Sequence, residues 1–305
     1  MLLDDVVNFC DNRYSSYGNN CGCGEGKGCN HPSGECSGSC YDCLYQIHYP
    51  GRAPGEAKKV YDCPKMLYHY VCQYSYLYTT ELICAFNNES NFIKDYPRYN
   101  VLSLGCGGCA DLMALDFLCC NQETSIPISY IGIDVNNLWN PIHSYIKDYC
   151  MMKRIQYEIN YCDVFEYFEG WEVTGTNIII ISYLISSLYN TGQIDKIGSL
   201  AEALVHRVIN KKNGYPLLLI INDVNSNKRG RDCFCLFEQA IKSNSLIVVK
   251  SEYKYFDHVK LKEGQKIGTP YAMKNVIFPI PPKIQNKYHA HSSINCTIQL
   301  LLEVL

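Results

Sequence analysis

Two groups of side chains in this sequence have the types and spacing for chemistry. The first is a run of thiols. The stretch "CGCGEGKGCNHPSGECSGSCYDC", residues 21–43, carries Cys21, Cys23, Cys29, Cys36, Cys40 and Cys43, and Cys63 follows in "YDCP". A tetrahedral zinc site needs four donors, and a C-x2-C turn such as Cys40–Cys43 supplies two at the right bite. Cys63 is the best third donor, with His48, Cys72, Cys36 or an upstream cysteine as the fourth. Cys21, Cys23, Cys29, His31 and Cys36 hold enough donors for a second ion. Unprotected thiols at this density would be an oxidation hazard. Zinc, the usual structural metal for thiolates, is expected ahead of an iron–sulfur cluster.

The second group is spread over the strand ends of the later chain. "VLSLGCGGCAD", residues 101–111, reads as a strand, a glycine turn and the start of a helix. Gly105 and Gly107 can adopt positive φ and carry no Cβ, so a ligand can approach the backbone there. The helix beyond the turn presents N–H groups at its N-terminus. A turn of this kind alone is common in α/β proteins, and the features downstream give it meaning. Asp134 ends the next strand, where a carboxylate can accept both hydroxyls of a ribose. Asp163 ends a third strand in "YCDVFEYF", where it can meet an adenine edge. "SYLISSLY", residues 182–189, closes a fourth, on the side where open α/β sheets place ligands. Ser182, Tyr183 and, after the fifth strand, Asp223 are the groups best placed to align an acceptor or take its proton. Each could equally serve as a strand-end cap.

The elements that must position these groups alternate from residue 98 onward. Strand-like runs cover 99–105, 128–134, 155–163, 176–184, the segment "YPLLLIIND" and 246–256, with helical patterns between most of them. Ile194, Ile197, Leu200, Ala201, Leu204, Val205 and Val208 mark one face of a helix. The last strand, "INCTIQLLLEV", places Cys296, Ile298, Leu300, Leu302 and Val304 on one face and reads as half-buried. Such alternation predicts a mostly parallel sheet of seven strands, the last two joined by an irregular insert, 257–293. The boundaries expected are a cysteine-rich module at 1–60, a helical tyrosine-rich connector at 61–97 and an α/β domain at 98–305. On the connector helix, Tyr70, Tyr74 and Tyr78 share a face that packs on the sheet or covers the glycine turn.

In this order the motifs resemble those of class I S-adenosylmethionine-dependent methyltransferases. The likeness rests on "VLSLGCGG", on Ile131 to Asp134, on Asp163, on "NIIIISYL" and on the seven-strand count, and it covers about two-thirds of the chain. It implies a Rossmann-like fold and methyl transfer. It also implies a cofactor, S-adenosylmethionine, held by Leu104, Gly105, Cys106, Gly107, Asp134, Val135, Cys162, Asp163, Val164 and Ser182. Two positions depart from the family pattern: Ser103 stands where an acid is common, and Asn177 where the fourth strand often starts with Asp. No Asn/Asp-Pro-Pro-Tyr/Phe motif follows the fourth strand, which argues against methylation of DNA adenine. "SYLISSLY" has a faint similarity to ribosome-associated methyltransferase-like proteins that carry metal-binding cysteines.

Composition narrows the rest. The chain has 305 residues, 47% hydrophobic, with a net charge of -3. No global positive field therefore draws it to nucleic acid or membrane. "MLLDDVVNFC" lacks the basic start of a secretory signal, and 19 free or metal-bound cysteines suit a reducing compartment, so a cytoplasmic protein is expected. "NSNKRGRD" at 225–232 is a solvated loop or a phosphate contact. The acceptor expected is unidentified: RNA, protein or small molecule. The competing expectation is a methyltransferase-like binding protein whose catalysis is lost.

Overall fold

Strands whose side chains are apolar on both faces need cover on both faces, and that requirement organises the chain. The computed structural model describes residues 1–18, 39–49, 60–121, 126–212, 216–226, 230–256, 266–294 and 296–305. Its strands are β1 (Tyr99–Leu104), β2 (Ile128–Ile133), β3 (Gln156–Asn160), β4 (Ile178–Ser182), β5 (Leu217–Val224), β6 (Val248–Phe256), β7 (Thr269–Tyr271) and β8 (Thr297–Val304). They form one sheet in the order β3-β2-β1-β4-β5-β8-β6-β7. β3, β2, β1, β4 and β5 are parallel, and β8 runs antiparallel to both β5 and β6.

The helices are α1 (Leu2–Ser16), α2 (Cys40–His48), α3 (Pro64–Asn88), α4 (Ser90–Ile93), α5 (Ala110–Asn121), α6 (Asn140–Lys153), α7 (Val164–Gly170), α8 (Leu184–Asn190), α9 (Ile197–Arg207), α10 (Phe234–Ser243) and α11 (Pro282–Tyr288). They lie in two layers. Val101, Tyr130, Ile178, Ile180 and Leu218 point to a core shared with α1, α3, α5, α6 and α11. Their alternate neighbours Leu102, Leu104, Ile179, Ile181 and Leu219 point to a second core, under α7, α9 and α10. The period-2 alternation of a strand thus feeds two cores at once. The fold is the mostly parallel, Rossmann-like α/β sheet expected from the sequence.

Two sequence expectations change. The sheet has eight strands, not seven, because Thr269–Tyr271 of the insert pairs with Lys254–Phe256 along the outer edge of β6. Three residues give no readable period, and Pro270 is tolerated because it sits on an edge strand. The last strand is not half-buried. All residues from Thr297 to Leu302 are buried, since β8 is inserted between β5 and β6 with apolar cover on both faces.

α3 is the longest helix among the described residues, and most of its circumference is buried. It packs on α1, on α5 and on the ends of the strands. α1, at the start of the segment expected to be a separate module, also packs on α3, α5 and α6 through Leu2, Leu3, Val6, Val7 and Cys10. Leu2 N–H donates to Asp116 Oδ2 at 3.0 Å, which ties the first helix to α5.

Candidate cofactor cleft

β1 ends in Leu104, and the chain must then reverse over the edge of β2 to start α5. Gly105 makes this turn at φ +67°, and a Cβ there would lie 3.1 Å from Leu184 Cδ1. Gly105 and Cys106 N–H both donate to Ile133 O, at 2.8 and 3.1 Å. Asp134 then fixes the turn from the neighbouring strand: Oδ2 accepts from Gly107 N–H and Oδ1 from Asn136 N–H, each at 2.9 Å. Burial raises the Asp134 pKa, while those two N–H groups act in the opposite direction. His143 of α6 holds the turn from the other side, its Nε2 2.7 Å from Gly107 O and its Nδ1 2.7 Å from Tyr161 Oη.

α3 roofs the turn. Tyr70, Tyr78, Ser103, Gly105, Asp111 and Tyr183 are among the residues lining a cavity of about 40 Å³. Tyr74 and Tyr78 stack at 5.3 Å and 11°, and Tyr78 continues to Tyr183 at 4.3 Å. Tyr70 meets Trp139 edge-on at 5.6 Å. The helical face of tyrosines read from the sequence therefore covers the glycine turn. Beneath it, Asp111 Oδ1 accepts from Tyr130 Oη–H and Leu112 N–H, both at 2.9 Å, and Ser103 also hydrogen-bonds this carboxyl. Asp111 Oδ2 is buried and has no hydrogen-bond partner among the described residues. Burial pushes this carboxyl up to about 6. Ser103 thus lacks the acid common to the family at its position, and Asp111 brings one into the same cavity.

At the end of β4, Ser182 and Tyr183 both line the cavity. Tyr183 is held at φ +56°, a left-handed conformation uncommon for a side chain of its size. Its hydroxyl donates to Glu81 of α3, 3.1 and 3.0 Å from the two carboxylate oxygens. Thr297 Oγ1 and Asn222 Nδ2 donate to the same carboxylate at 2.7 and 3.0 Å. Asn222 Nδ2 also lies 3.2 Å from Ser182 Oγ. Burial raises the Glu81 pKa to about 7 against these hydrogen bonds. Asp223 is placed differently. Its carboxylate accepts from Ser186 N–H at 2.9 Å and from Val224 N–H at 2.7 Å, so it fixes the start of α8 from within the core.

The remaining expected cofactor residues divide by depth. Val135 is 72% exposed beside Asp134, Cys162 is half-buried, and Asp163 caps α7 by accepting from Phe165 N–H at 2.8 Å. Leu104 and Val164 belong to the second core. Asn177 lies at the opposite end of the sheet, where Oδ1 accepts from Asn100 N–H and Nδ2 donates to Arg98 O. It joins β1 to β4 far from the turn, so its departure from the family pattern does not touch the cleft.

Of the expected metal ligands, Cys21, Cys23, Cys29 and Cys36, with His31, lie outside the described residues. Cys40, Cys43 and Cys63 come together in a small buried core with Leu44, Ile47 and Met66. His48 and Cys72, weighed as a fourth ligand, are engaged elsewhere: His48 lies between Tyr74 Oη and Tyr61 Oη at 3.0 and 2.9 Å, and Cys72 Sγ donates to Val7 O. Lys228 and Arg229 of "NSNKRGRD" are outside the described residues, and Arg231 is buried, donating to Asn225 Oδ1 at 2.7 Å.

Sequence reasoning missed Glu81, Asp111 and His143. Glu81 and His143 reach the site from distant helices and carry no local signal. Asp111 does have one, an acid six residues after Gly105 in the first turn of α5.

No family model matches the sequence, and no curated protein matches it. Among solved structures, a SAM-dependent methyltransferase from Archaeoglobus fulgidus is similar at 14% identity and TM-score 0.39, with 76% of this chain and 100% of that chain covered. The plantazolicin methyltransferase BpumL in complex with SAH is similar at 11% identity and TM-score 0.42, covering 86% and 94%. The pyocyanin biosynthetic protein PhzM is similar at 10% identity and TM-score 0.37, covering 72% and 54%. Among the described residues no helix is long and apolar enough to cross a membrane.

Proposed function

We propose that this chain is an S-adenosylmethionine-dependent methyltransferase working at the carboxyl ends of β1, β2 and β4. The observation that carries the reading is the convergence there of the glycine turn, Asp134 and the unpartnered Asp111 Oδ2, at the crevice where open α/β sheets bind ligands. The residues suit the cofactor in kind. Asp111 Oδ2, a buried acceptor with no donor among the described residues, suits a cationic group. Asp134 and the exposed Val135 suit a ribose and a base edge, with Cys162 and Asp163 beyond them. S-adenosylmethionine, when bound, supplies a methyl group on a good sulfonium leaving group.

The chain's own part is alignment and proton management. Ser182 and Tyr183 face the acceptor side of the cavity. Glu81, pushed to about 7, takes the Tyr183 hydroxyl proton into a hydrogen bond and is poised to accept charge from an acceptor lying over that tyrosine. The acceptor is an RNA, a protein or a small molecule. The buried group Cys40, Cys43 and Cys63 suits zinc, in a module that braces the roof of the cleft or reads the acceptor.

A second reading has its own support. The cavity, at about 40 Å³, has room for only a few waters while Tyr70 and Tyr78 stand where they do. Both oxygens of Asp134 are also engaged by backbone N–H groups. A methyltransferase-like binding or assembly protein without catalysis would look the same. Isothermal titration with S-adenosylhomocysteine separates the two. Micromolar-range binding, lost by roughly a hundredfold or more in Asp134→Ala, about 2.7 kcal/mol, is expected of the enzyme. No binding by the metal-replete protein removes the enzymatic reading.

A further inference from the structure

We propose that Cys106, Cys109 and His143 bind one transition-metal ion, zinc by preference, against the underside of the glycine turn. This site is separate from the cysteines of residues 21–63 and does not depend on the methyltransferase reading.

The donors are already gathered. One ligand atom from each of the three residues lies within 4.8 Å of the others. Cys106, Cys109 and His143 are 8%, 0% and 2% exposed, so the cluster is enclosed by the protein. "CGGC" is a C-x2-C turn, the spacing that presents two sulfurs to one tetrahedral ion. The backbone is bent to suit: Cys109 N–H donates to Cys106 O at 2.8 Å, and Cys109 takes φ +58°. Both thiols thereby face the ring of His143 on α6. The space for sulfur is also built in. Gly132 on β2 carries no side chain where one would collide, since a Cβ there would lie 2.9 Å from Cys106 Sγ and 2.6 Å from Ile159 Cδ1.

The imidazole has a supporting partner whichever nitrogen turns to the ion. If Nδ1 ligates, Nε2–H donates to Gly107 O, and if Nε2 ligates, Nδ1–H donates to Tyr161 Oη, each at 2.7 Å. Such an outer hydrogen bond orients the ring and is usual at metal-bound histidines. Charge favours a divalent ion as well. Two thiolates and a neutral imidazole balance an M²⁺ charge without leaving an uncompensated charge in the interior. Sulfur and imidazole donors select zinc over magnesium or calcium, which prefer oxygen. On binding, each thiol forms a metal–sulfur bond and releases its proton to solvent.

The consequence is mechanical. Gly107 is already held by Asp134 through its N–H and by His143 through its carbonyl. An ion on Cys106, Cys109 and His143 would lock β1, the turn and α6 together, setting the wall against which any ligand of the cleft must fit.

The test uses the full chain, stripped of metal and reloaded with Co²⁺. Metal content by mass spectrometry and thiolate-to-cobalt charge-transfer absorption are compared across wild type, Cys106→Ser/Cys109→Ser and Cys40→Ser/Cys43→Ser. The expected result is one ion per chain fewer in Cys106→Ser/Cys109→Ser, and a loss additive with that of the Cys40/Cys43 pair. His143→Gln keeps both thiols and covers the case in which the double variant fails to fold. It should retain the sulfur bands while shifting the cobalt ligand-field bands and weakening affinity by at least tenfold. Unchanged metal content and spectra in folded Cys106→Ser/Cys109→Ser or in His143→Gln would overturn the proposal. So would isolation of the native chain with Cys106 and Cys109 joined as a disulfide and no metal lost on reduction.

Discussion

The two walls of the cleft are built on different principles. The sheet wall is local: Gly105 to Asp111 are consecutive, and Asp134 meets Gly107 across one parallel register, Leu104 against Ile133. The roof is remote: α3 lies before the sheet in sequence, yet delivers Tyr70, Tyr78 and Glu81 onto the ends of β1, β4, β5 and β8. In the sheet wall the turn's own backbone groups are held, by Ile133 O, Asp134 and His143, whereas the roof meets the sheet mainly through side chains. A substitution in the roof should therefore change the shape and charge of the cleft without disturbing the turn.

The largest effect is expected at Glu81, where the roof is bonded to β5, β8 and the end of β4 at once. Glu81→Ala leaves the Tyr183, Thr297 and Asn222 donors buried with no carboxylate to bond, at about 1–3 kcal/mol each, so several kcal/mol of stability should go. Glu81→Gln keeps one acceptor and should cost far less. The pair also differs in pH response. Folding raises the Glu81 pKa from 4.5 to about 7, so the folded chain binds this proton more tightly than the unfolded chain. The stability it contributes is complete below about pH 4.5 and is lost as pH rises through 7, a fall on the order of 3 kcal/mol. Denaturant titrations at several pH values should show that fall in wild type and a flatter profile in Glu81→Gln. Equal profiles would mean that the roof is not held by this carboxylate.

This contrast also explains what could be read from the sequence. The strands, the turn at Gly105 and the acid at Asp134 were legible because period-2 apolar runs and a glycine at a strand end are local signals. Ser182 and Tyr183 followed from topology, because carboxyl ends of parallel strands gather on one edge. Asp223 has the same address, yet its carboxylate turns inward to Ser186 N–H. Position along a strand does not say which way a side chain at its end will bond. β7 was invisible because three edge residues have no period, and β8 was misjudged because its place between β5 and β6 depends on pairing rather than pattern. Glu81 and His143 were illegible because a buried polar residue on a helix announces nothing until its partners, here more than a hundred residues away for Glu81, are known. The thiols teach a related lesson. Cysteine density drew attention to residues 21–43, while the tighter described cluster is the pair hidden inside the glycine turn.

A smaller effect is expected where the roof only fills space. Tyr78 stacks between Tyr74 and Tyr183, and its removal should open the cavity over Gly105. If closure of the roof limits binding, Tyr78→Ala should tighten S-adenosylhomocysteine by about tenfold, ~1.4 kcal/mol, measured by the same titration. Weaker binding would show instead that the tyrosine forms part of the ligand surface, and the two walls would then act together.

The smallest change belongs to the sheet wall itself. Asp111 Oδ2 is buried with no donor among the described residues, and burial lifts the carboxyl to about 6 from 3.8. Its contribution to stability is therefore complete below pH 3.8 and lost as pH rises through 6, so at pH 7.5 burial of the ionised group costs stability. Asp111→Asn should raise the thermal midpoint of the ligand-free chain at pH 7.5 and leave it unchanged near pH 4. It should also weaken S-adenosylmethionine by about threefold, ~0.7 kcal/mol. Comparing the two cofactor forms locates the contact. A loss confined to S-adenosylmethionine places the sulfonium at Asp111, because the demethylated form lacks that charge, whereas an equal loss for both places the ammonium there. If neither affinity moves, Asp111 is a stability residue of α5, and the chemistry of the cleft lies wholly between Asp134 and the roof.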